Sequence, residues 1–237
     1  MKLLALDSSG LVASVAIMTE DALIAEYSVN YKKTHSQTLM PMLDEIVKMT
    51  ESNLQDFDYL AVSGGPGSFT GLRIGSAAVK GLGLALGLPV VSVPTLEALA
   101  MNVCQSQFLV CPIMDARRNQ VYTGIYHFVD KDLQIDMEQT PMDIHALLAE
   151  LQKYGRQVLF LGDGVSVYRE AIEASPIEAC FAPPHMDRQR AASVGMRAWD
   201  YIRQGRIQSA AEHAPVYLRL SQAERERLER AEHAKSK

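Results

Sequence analysis

The sequence predicts a duplicated α/β fold of two lobes. Residues 2–7 and 108–115 both read as a buried apolar strand that ends in an aspartate followed by a small residue, Asp7-Ser8 and Asp115-Ala116. Each is followed by alternating strands and then by helix–strand units, which is the order expected when one α/β unit occurs twice. The chain has 237 residues, 48% of them hydrophobic, enough for one large domain or two small ones.

The first half is predicted to open with three strands at residues 2–7, 11–18 and 22–29, with Glu20-Asp21 as a turn. A helix over 34–50 follows, with Thr34 as its N-cap. A strand at 58–63 leads into the sequence GGPGSFTG and a Gly- and Ala-rich helix at 71–87. A strand at 88–93 and a short helix that begins at Pro94-Thr95 complete this half.

The second half is predicted to contain strands at 108–114, 120–128, 134–137 and 157–162, and a helix from an Asp143 cap through Tyr154. A last helix at 190–204 is expected to return to the first lobe. We therefore expect a first lobe of 1–105 plus about 188–220 and a smaller second lobe of 106–187. Residues 221–237 are mostly charged, which predicts a frayed helix or a disordered tail.

Composition narrows the function classes. The net charge of -5 disfavours a protein that binds RNA over a broad face, because phosphate neutralisation dominates such binding. The three cysteines are odd in number and lack zinc-ligand spacing, so reduced thiols are expected. The N-terminal apolar run is too short for a signal peptide, and no stretch is long enough to span a bilayer. These features predict a cytoplasmic protein with no membrane partner.

The most specific segment is GGPGSFTGLRIG at 64–75. It lacks the Gly-Lys-Ser/Thr of a phosphate-binding P-loop, so a tight structural turn and an anion site both stay open. Ser68 or Thr70 can cap the following helix. One side of that helix is predicted to be flat, because small residues recur there at steps of three and four: Gly71, Gly75, Ala78, Gly81 or Leu82, and Ala85. A flat side permits close packing either within the chain or against another subunit.

Six residues at strand ends and turns are candidates for a nucleotide site, active or vestigial: Asp7, Ser8, Ser9, Asp115, Gly162 and Gly164. Two carboxylates facing a cleft could hold a metal–nucleotide, but an aspartate at a strand end often only caps the next turn. His35 stands alone, and a lone histidine is more often a cap or surface residue than a ligand. The other histidines are scattered, so no metal site is predicted.

Several segments together resemble the bacterial TsaB (YeaZ) family of threonylcarbamoyladenosine biosynthesis proteins. They are LALDSSG at 4–10, GGPGSFTGLRIG at 64–75, VPTLEALA at 93–100, IMDARRNQVY at 113–122, FLGDGV at 160–165 and PVYLRLSQAE at 215–224. The resemblance implies the actin-like ATPase (ribonuclease H-like) fold, with a mixed sheet in each lobe and a reduced second lobe. It also implies a role in modifying the adenosine next to the anticodon of tRNA. The implied partners are the paralogous transferase TsaD, the ATPase TsaE and, through the complex, tRNA, with a homodimer when the partner is absent.

The paralogue of that family carries a metal-binding His-x-x-x-His, and Thr95 and Leu99 stand at the corresponding positions here. Leucine cannot ligate a cation, so the resemblance implies a subunit without catalytic residues. No cofactor is then expected on this chain alone, whereas the complex uses ATP/ADP and Mg. Two alternatives stay open: an ATP-dependent phosphotransferase that uses Asp7, Asp115 and the turn at 162–164, and a metallopeptidase, which the missing motif disfavours.

The resemblance also implies that the helices at 34–50 and 71–87 contact the paralogue. The residues expected at this interface are Leu39, Leu43, Ile46, Leu72, Gly71, Gly75, Ala78 and Leu82. The replacement Gly75→Leu is accordingly expected to abolish association while the isolated chain stays folded.

Overall fold

Five strands form the first sheet. The structure is a computed structural model that describes residues 1–219, so the predicted tail at 221–237 lies outside the described residues. The strands are β1 (Lys2–Asp7), β2 (Ala13–Thr19), β3 (Leu23–Val29), β4 (Tyr59–Gly65) and β5 (Val90–Pro94). Their spatial order is β3-β2-β1-β4-β5. β1 pairs antiparallel with β2 and parallel with β4.

The second sheet repeats this arrangement. Its strands are β6 (Leu109–Asp115), β7 (Gln120–Val129), β8 (Asp132–Asp143), β9 (Val158–Leu161) and β10 (Ala179–Phe181), in the order β10-β9-β6-β7-β8. β6 pairs antiparallel with β7 and parallel with β9, as β1 does with β2 and β4. The matching order and directions confirm the duplicated α/β fold.

Helices cover both faces of both sheets. They are α1 (His35–Met49), α2 (Phe69–Leu86), α3 (Thr95–Ala100), α4 (Ile144–Gln152), α5 (Gly164–Glu173) and α6 (Ala191–Arg203). α1 and α2 pack on one face of the first sheet, and α4 and α5 on one face of the second. α6 packs on the other face of the first sheet, α3 packs on strands of the second, and these two helices touch. The two lobes therefore meet through α3 and α6.

Side-chain alternation along β1 explains why its sequence is apolar throughout. Leu4 and Leu6 point to the core beneath α1 and α2, while Leu3 and Ala5 point to the core beneath α6. A strand that is buried on both faces shows a continuous apolar run, not an alternation of apolar and polar residues. Both faces of this strand are therefore used for packing.

Several predicted boundaries need correction. α2 begins at Phe69, because the Ser68 hydroxyl accepts a hydrogen bond from the Gly71 amide at 3.2 Å and caps the helix earlier than expected. Asp143 caps α4 as predicted, whereas the Thr34 side chain makes no capping hydrogen bond on α1. The short strand β10 was not predicted, and β8 is longer than expected.

The second lobe is reduced in its helices, not in its strand number. α4 and α5 have 9 and 10 residues, against 15 and 18 in α1 and α2. Within residues 1–219, no helix combines the length and apolar character needed to cross a membrane. The three cysteines are free thiols.

Candidate functional site

Asp7, the first predicted nucleotide-site residue, lies buried at the end of β1 with both carboxylate oxygens engaged inside the chain. Oδ1 accepts hydrogen bonds from the Ser9 amide at 2.8 Å and the Ser9 hydroxyl at 2.7 Å, and Oδ2 accepts one from the Ser63 hydroxyl. Burial raises the pKa of Asp7, although these hydrogen bonds act in the opposite direction. The carboxylate therefore holds the turn after β1 and is not presented to a ligand.

The glycines of the GGPGSFTGLRIG segment let α2 approach that same turn. A Cβ at Gly71 would lie 2.0 Å from the Ser8 carbonyl oxygen, and one at Gly75 would lie 2.5 Å from the Ser8 hydroxyl. A Cβ at Gly67 would lie 2.3 Å from the Ser9 carbonyl oxygen. The same oxygen accepts a hydrogen bond from the Ser68 amide at 2.7 Å. These glycines are needed for packing within the chain.

His35 has a structural role on the other side of the turn. It is the first residue of α1, and its Nε2 lies 2.8 Å from the Gly10 carbonyl oxygen, at hydrogen-bonding distance. Its ring also lies against Gly71. This histidine thus joins α1 to the turn at residues 8–10 and to α2.

The predicted residues of the second lobe form a separate group. The Asp115 Oδ1 accepts hydrogen bonds from the Arg117 amide at 2.8 Å and the Tyr168 hydroxyl at 3.2 Å. A Cβ at Gly162 would lie 2.2 Å from the Ile113 carbonyl oxygen, and one at Gly164 would lie 3.0 Å from it. The glycines therefore permit the turn after β9 to pack against β6, which accounts for them without a ligand.

Thr95 and Leu99, the two positions expected from the sequence to replace metal ligands, are part of the core between the lobes. Leu99 is buried, and its Cδ2 lies 3.2 Å from where a Cβ at Gly162 would be. The buried Thr95 hydroxyl has no hydrogen-bond partner among the described residues. Within residues 1–219, no three His, Cys, Asp or Glu side chains are grouped so that they could hold a metal ion. The side chains at these two positions therefore do not fit a metal–nucleotide.

The segment at 214–219 crosses the space between the Gly-rich turn and the second lobe, a feature that the sequence did not reveal. The Val216 amide donates to the Gly64 carbonyl oxygen at 2.7 Å. The Tyr217 ring stacks on Phe69 with centroids 4.6 Å apart, and the Arg219 guanidinium donates to the Ala116 carbonyl oxygen at 2.9 Å. This segment therefore connects α2 to the end of β6.

Most of the side chains predicted to contact a partner do not lie on the surface of the chain. Leu39, Leu43, Ile46 and Leu72 are buried, the first three in the core beneath α1 and α2. Gly71 and Gly75 are buried against Ser8, and Ala78 and Leu82 are half-buried against the first core. The reason is general: apolar residues at helical spacing mark the face that packs on the chain's own sheet.

The residues exposed on the outer faces of α1 and α2 differ from the predicted docking residues. On α2 the exposed residues are Thr70, Arg73, Ala77, Gly81, Leu84 and Ala85. Leu84 is 64% exposed, and Met40 on the neighbouring α1 is 46% exposed. A Cβ at Gly81 would meet no atom within 4 Å. We call Met40, Ala77, Gly81, Leu84 and Ala85 the outer surface of α1 and α2.

Two five-stranded sheets of one topology, joined through α3 and α6, define a duplicated α/β protein of the actin-like ATPase class. A family model described as TsaD, tRNA N6-adenosine threonylcarbamoyltransferase, matches residues 23–227. The tRNA threonylcarbamoyladenosine biosynthesis protein TsaB of Bacillus subtilis is 39% identical over 177 residues, which is 73% of this chain and 76% of that protein. The chain belongs to the TsaB/YeaZ family.

Two further relatives support the same family and fold. TsaB of Escherichia coli is 34% identical over 128 residues, covering 53% of this chain and 55% of that protein. The structure of YeaZ from Pseudomonas aeruginosa superimposes with a TM-score of 0.77 at 27% identity and covers 92% of this chain and 99% of that one. The fold class predicted from the sequence is thereby confirmed.

Proposed function

We propose that this chain is a non-catalytic subunit of the machinery that makes threonylcarbamoyladenosine in tRNA. In this role it docks onto a TsaD-type transferase and activates it for the adenosine next to the anticodon. Membership of the TsaB/YeaZ family supports the pathway, since the relatives are named as tRNA threonylcarbamoyladenosine biosynthesis proteins. The docking surface in this proposal is the outer surface of α1 and α2.

The observation that carries the docking proposal is Gly81. Glycine in a helix interior costs about 1 kcal/mol relative to alanine. At Gly71 and Gly75, close contacts with Ser8 explain this cost, but at Gly81 nothing within 4 Å would obstruct a Cβ. Close approach of a partner helix to this exposed position gives the glycine a physical reason. Leu84, 64% exposed on the same helix, supplies apolar area for such a contact.

The surroundings of Asp7 and Leu99 support the proposal that this chain has no catalytic role. Asp7 is a candidate nucleotide-site residue, and Leu99 stands where a metal ligand would be expected. Asp7 is engaged by Ser9 and Ser63, and Leu99 packs in the core between the lobes. A phosphotransferase needs a carboxylate free to face a metal–nucleotide, and a metallopeptidase needs metal ligands where Leu99 stands. Both alternatives are therefore disfavoured.

The remaining partners belong to the proposal as well. In it, ATP/ADP and Mg are used by the complex and no cofactor is bound by this chain alone. The ATPase TsaE and tRNA join through the transferase. The outer surface of α1 and α2 would also form the contact of a homodimer when the transferase is absent. The proposed compartment is the cytoplasm, where tRNA is modified.

The test is to mix the purified chain with the TsaD-type paralogue of its own organism and to measure association by calorimetry and size-exclusion chromatography. Leu84→Asp and Gly81→Arg should weaken association about tenfold or more, because they place a charge or a long side chain in the centre of the contact. Transferase activity on tRNA should fall with the loss of complex.

Val167→Asp is the matched control, because Val167 is 57% exposed on α5 of the other lobe. It should leave both association and activity unchanged. Wild-type affinity in Leu84→Asp and Gly81→Arg would contradict the assigned surface. ATP turnover by the isolated chain would contradict the non-catalytic role.

A further inference from the structure

The two lobes are connected in two places of different character. One is the buried core around α3, where Leu99 belongs to the same apolar cluster as Val110 and Tyr126 of the second sheet. The other is the segment at 214–219, which contains neither helix nor strand and passes from the Gly-rich turn to the second lobe. Its Val216 is 51% exposed. A deep apolar contact and an exposed segment thus join the same pair of lobes.

The first half of this segment is fixed to the first lobe. The Val216 amide donates to the Gly64 carbonyl oxygen at 2.7 Å, and the Tyr217 ring stacks on Phe69 with the ring planes 8° apart. A Cβ at Gly65 would lie 2.3 Å from the Val216 carbonyl oxygen. Gly65 also has φ +114°, a conformation that other residues resist. The Gly-rich turn is therefore shaped to receive the segment at 214–219.

The second half reaches the other lobe. The Arg219 guanidinium donates to the Ala116 carbonyl oxygen at 2.9 Å, directly after the end of β6. Tyr122 of β7 lines the same narrow crevice as the segment. A direct connection lies beside it, because the Gln139 side-chain amide on β8 donates to the Gly65 carbonyl oxygen at 3.1 Å. The Gly-rich turn of the first lobe is thus connected to three strands of the second.

The two connections differ in what their opening would cost. Separation of the lobes at α3 would expose the fully buried Leu96 and Tyr126, and removal of apolar surface from water dominates the stability of a fold. Release of the segment at 214–219 breaks one ring stack and a few neutral hydrogen bonds, which water largely replaces. Local opening concentrates where few apolar groups are buried and hydrogen bonds are exposed. The core at α3 therefore stays closed when the segment is released.

We propose that residues 214–219 form a latch between the two lobes, with the core at α3 as the hinge. In the latched state the segment fills the space between the Gly-rich turn and the end of β6 and fixes the angle between the two sheets. In the released state the lobes rotate about α3, as domains do about a few residues at the ends of elements. This inference does not rest on the function proposed above, because it concerns the arrangement of the lobes within one chain.

The arrangement of the lobes is measured in the full chain by double electron–electron resonance between two spin labels. Glu45 on α1 and Glu170 on α5 are exposed, belong to different lobes and lie outside the latch, so each is replaced by cysteine and labelled. Cys104→Ser and Cys180→Ser remove the two half-buried thiols, and the buried Cys111 is retained. The chain with an intact latch should give one narrow distribution of distances.

Tyr217→Ala combined with Arg219→Ala removes the ring stack and the hydrogen bond to the second lobe. A second distance should then account for about a tenth of the molecules or more, because each lost contact shifts the equilibrium from the latched to the released state. An unchanged distribution in this double variant overturns the proposal, even if hydrogen exchange within the segment itself becomes faster.

Two further variants separate the latch from a general loss of stability. Arg219→Ala alone alters one half-buried side chain, so it should shift the distances in the same direction with an unchanged circular dichroism spectrum, and it decides the question if the double variant does not fold. Tyr31→Ala combined with Arg156→Ala is the matched control. Tyr31 is 70% exposed, and Arg156 donates to the Gln107 carbonyl oxygen at 3.2 Å, as Arg219 does to that of Ala116. Equal broadening in this control would show that the angle does not depend on the latch and would overturn the proposal.

Discussion

The hydroxyl of Ser8 donates a hydrogen bond to the carbonyl oxygen of Gly71 at 2.9 Å, which joins the turn after β1 to the first turn of α2. The contact is possible only because Gly71 has no side chain: its Cβ would lie 2.0 Å from the Ser8 carbonyl oxygen. Two segments separated by more than 60 residues are thereby packed backbone to backbone. The Gly-rich motif therefore serves the packing of α2 against the turn after β1 within the chain.

Gly71→Ala should therefore destabilise the isolated chain by about 1–3 kcal/mol or more, since the backbone of Ser8 must shift to admit a methyl group. Gly81→Ala is the matched variant and should stabilise it by up to about 1 kcal/mol, because its Cβ enters open space. Urea unfolding of both variants measures these free energies. Equal destabilisation by both would contradict the packing described for α2.

The same reasoning corrects the expectation for Gly75→Leu. A Cβ at Gly75 would lie 2.5 Å from the Ser8 hydroxyl, so leucine there should damage the fold and not only an interface. Loss of partner binding in this variant should be accompanied by a lower melting temperature. Thermal unfolding of the isolated variant checks this directly.

A buried ion pair connects α3 to α6. Arg197 donates to the Glu97 carboxylate at 2.7 Å, and the Tyr201 hydroxyl donates to the same carboxylate at 2.9 and 3.0 Å. Arg197→Met should cost about 3–5 kcal/mol of the free energy of unfolding, because it leaves Glu97 buried without its cation. Glu97→Leu combined with Arg197→Met should recover much of this loss. Additive losses in the double variant would contradict the coupling.

His213 should make stability depend on pH. Burial first, and the nearby Lys80 second, lower the pKa of His213 from its ordinary value of 6.5. The unfolded chain then binds the proton more tightly than the folded one, so the contribution of the neutral ring is present above pH 6.5 and is lost as pH falls through the folded pKa.

Unfolding of the wild type and of His213→Gln at pH 7.5 and at pH 5 measures this contribution. The wild type should lose more free energy of unfolding on acidification than the variant does. His145→Gln, at an exposed position of α4, serves as control and should behave as the wild type. A difference of the opposite sign would show that the charged ring is stabilised in the fold.

The cysteines should differ in reactivity. Cys111 is fully buried beside Thr123, and burial raises the pKa of its thiol to about 12. At pH 8 an alkylating reagent should modify Cys104 and Cys180, which are half-buried, long before Cys111. Mass spectrometry of peptides after timed labelling measures the three rates. Labelling of all three in urea is the control, and early modification of Cys111 in the folded chain would contradict its burial.

Local patterns predicted most elements because those patterns have local causes. The apolar run at β1 and the Asp143 cap of α4 depend on a few consecutive residues, and both were predicted correctly. The three-residue strand β10 was missed, since it is defined by pairing with β9 and not by its own composition. The proposed lobe boundaries stay a prediction.

Local patterns could not show which residues of α1 and α2 face the core and which face the surface. Leu39 and Leu72 were expected at an interface because the family resemblance places their helices there, but both residues lie buried in the chain's own core, as apolar residues at helical spacing commonly do. Gly81, which carries the proposed docking surface, could be distinguished from Gly71 and Gly75 only when the atoms around each glycine were known.

The amino-acid sequence by itself determined the class of the fold, the repeat of one α/β unit and the family, because apolar periodicity and a few rare motifs are local and survive without coordinates. Tertiary structure alone decided which glycines serve internal packing, that Asp7 is engaged by Ser9 and Ser63, and that residues 214–219 connect α2 to the end of β6. Such properties depend on which atoms from distant parts of the chain meet, and a side chain's chemical type does not specify its neighbours.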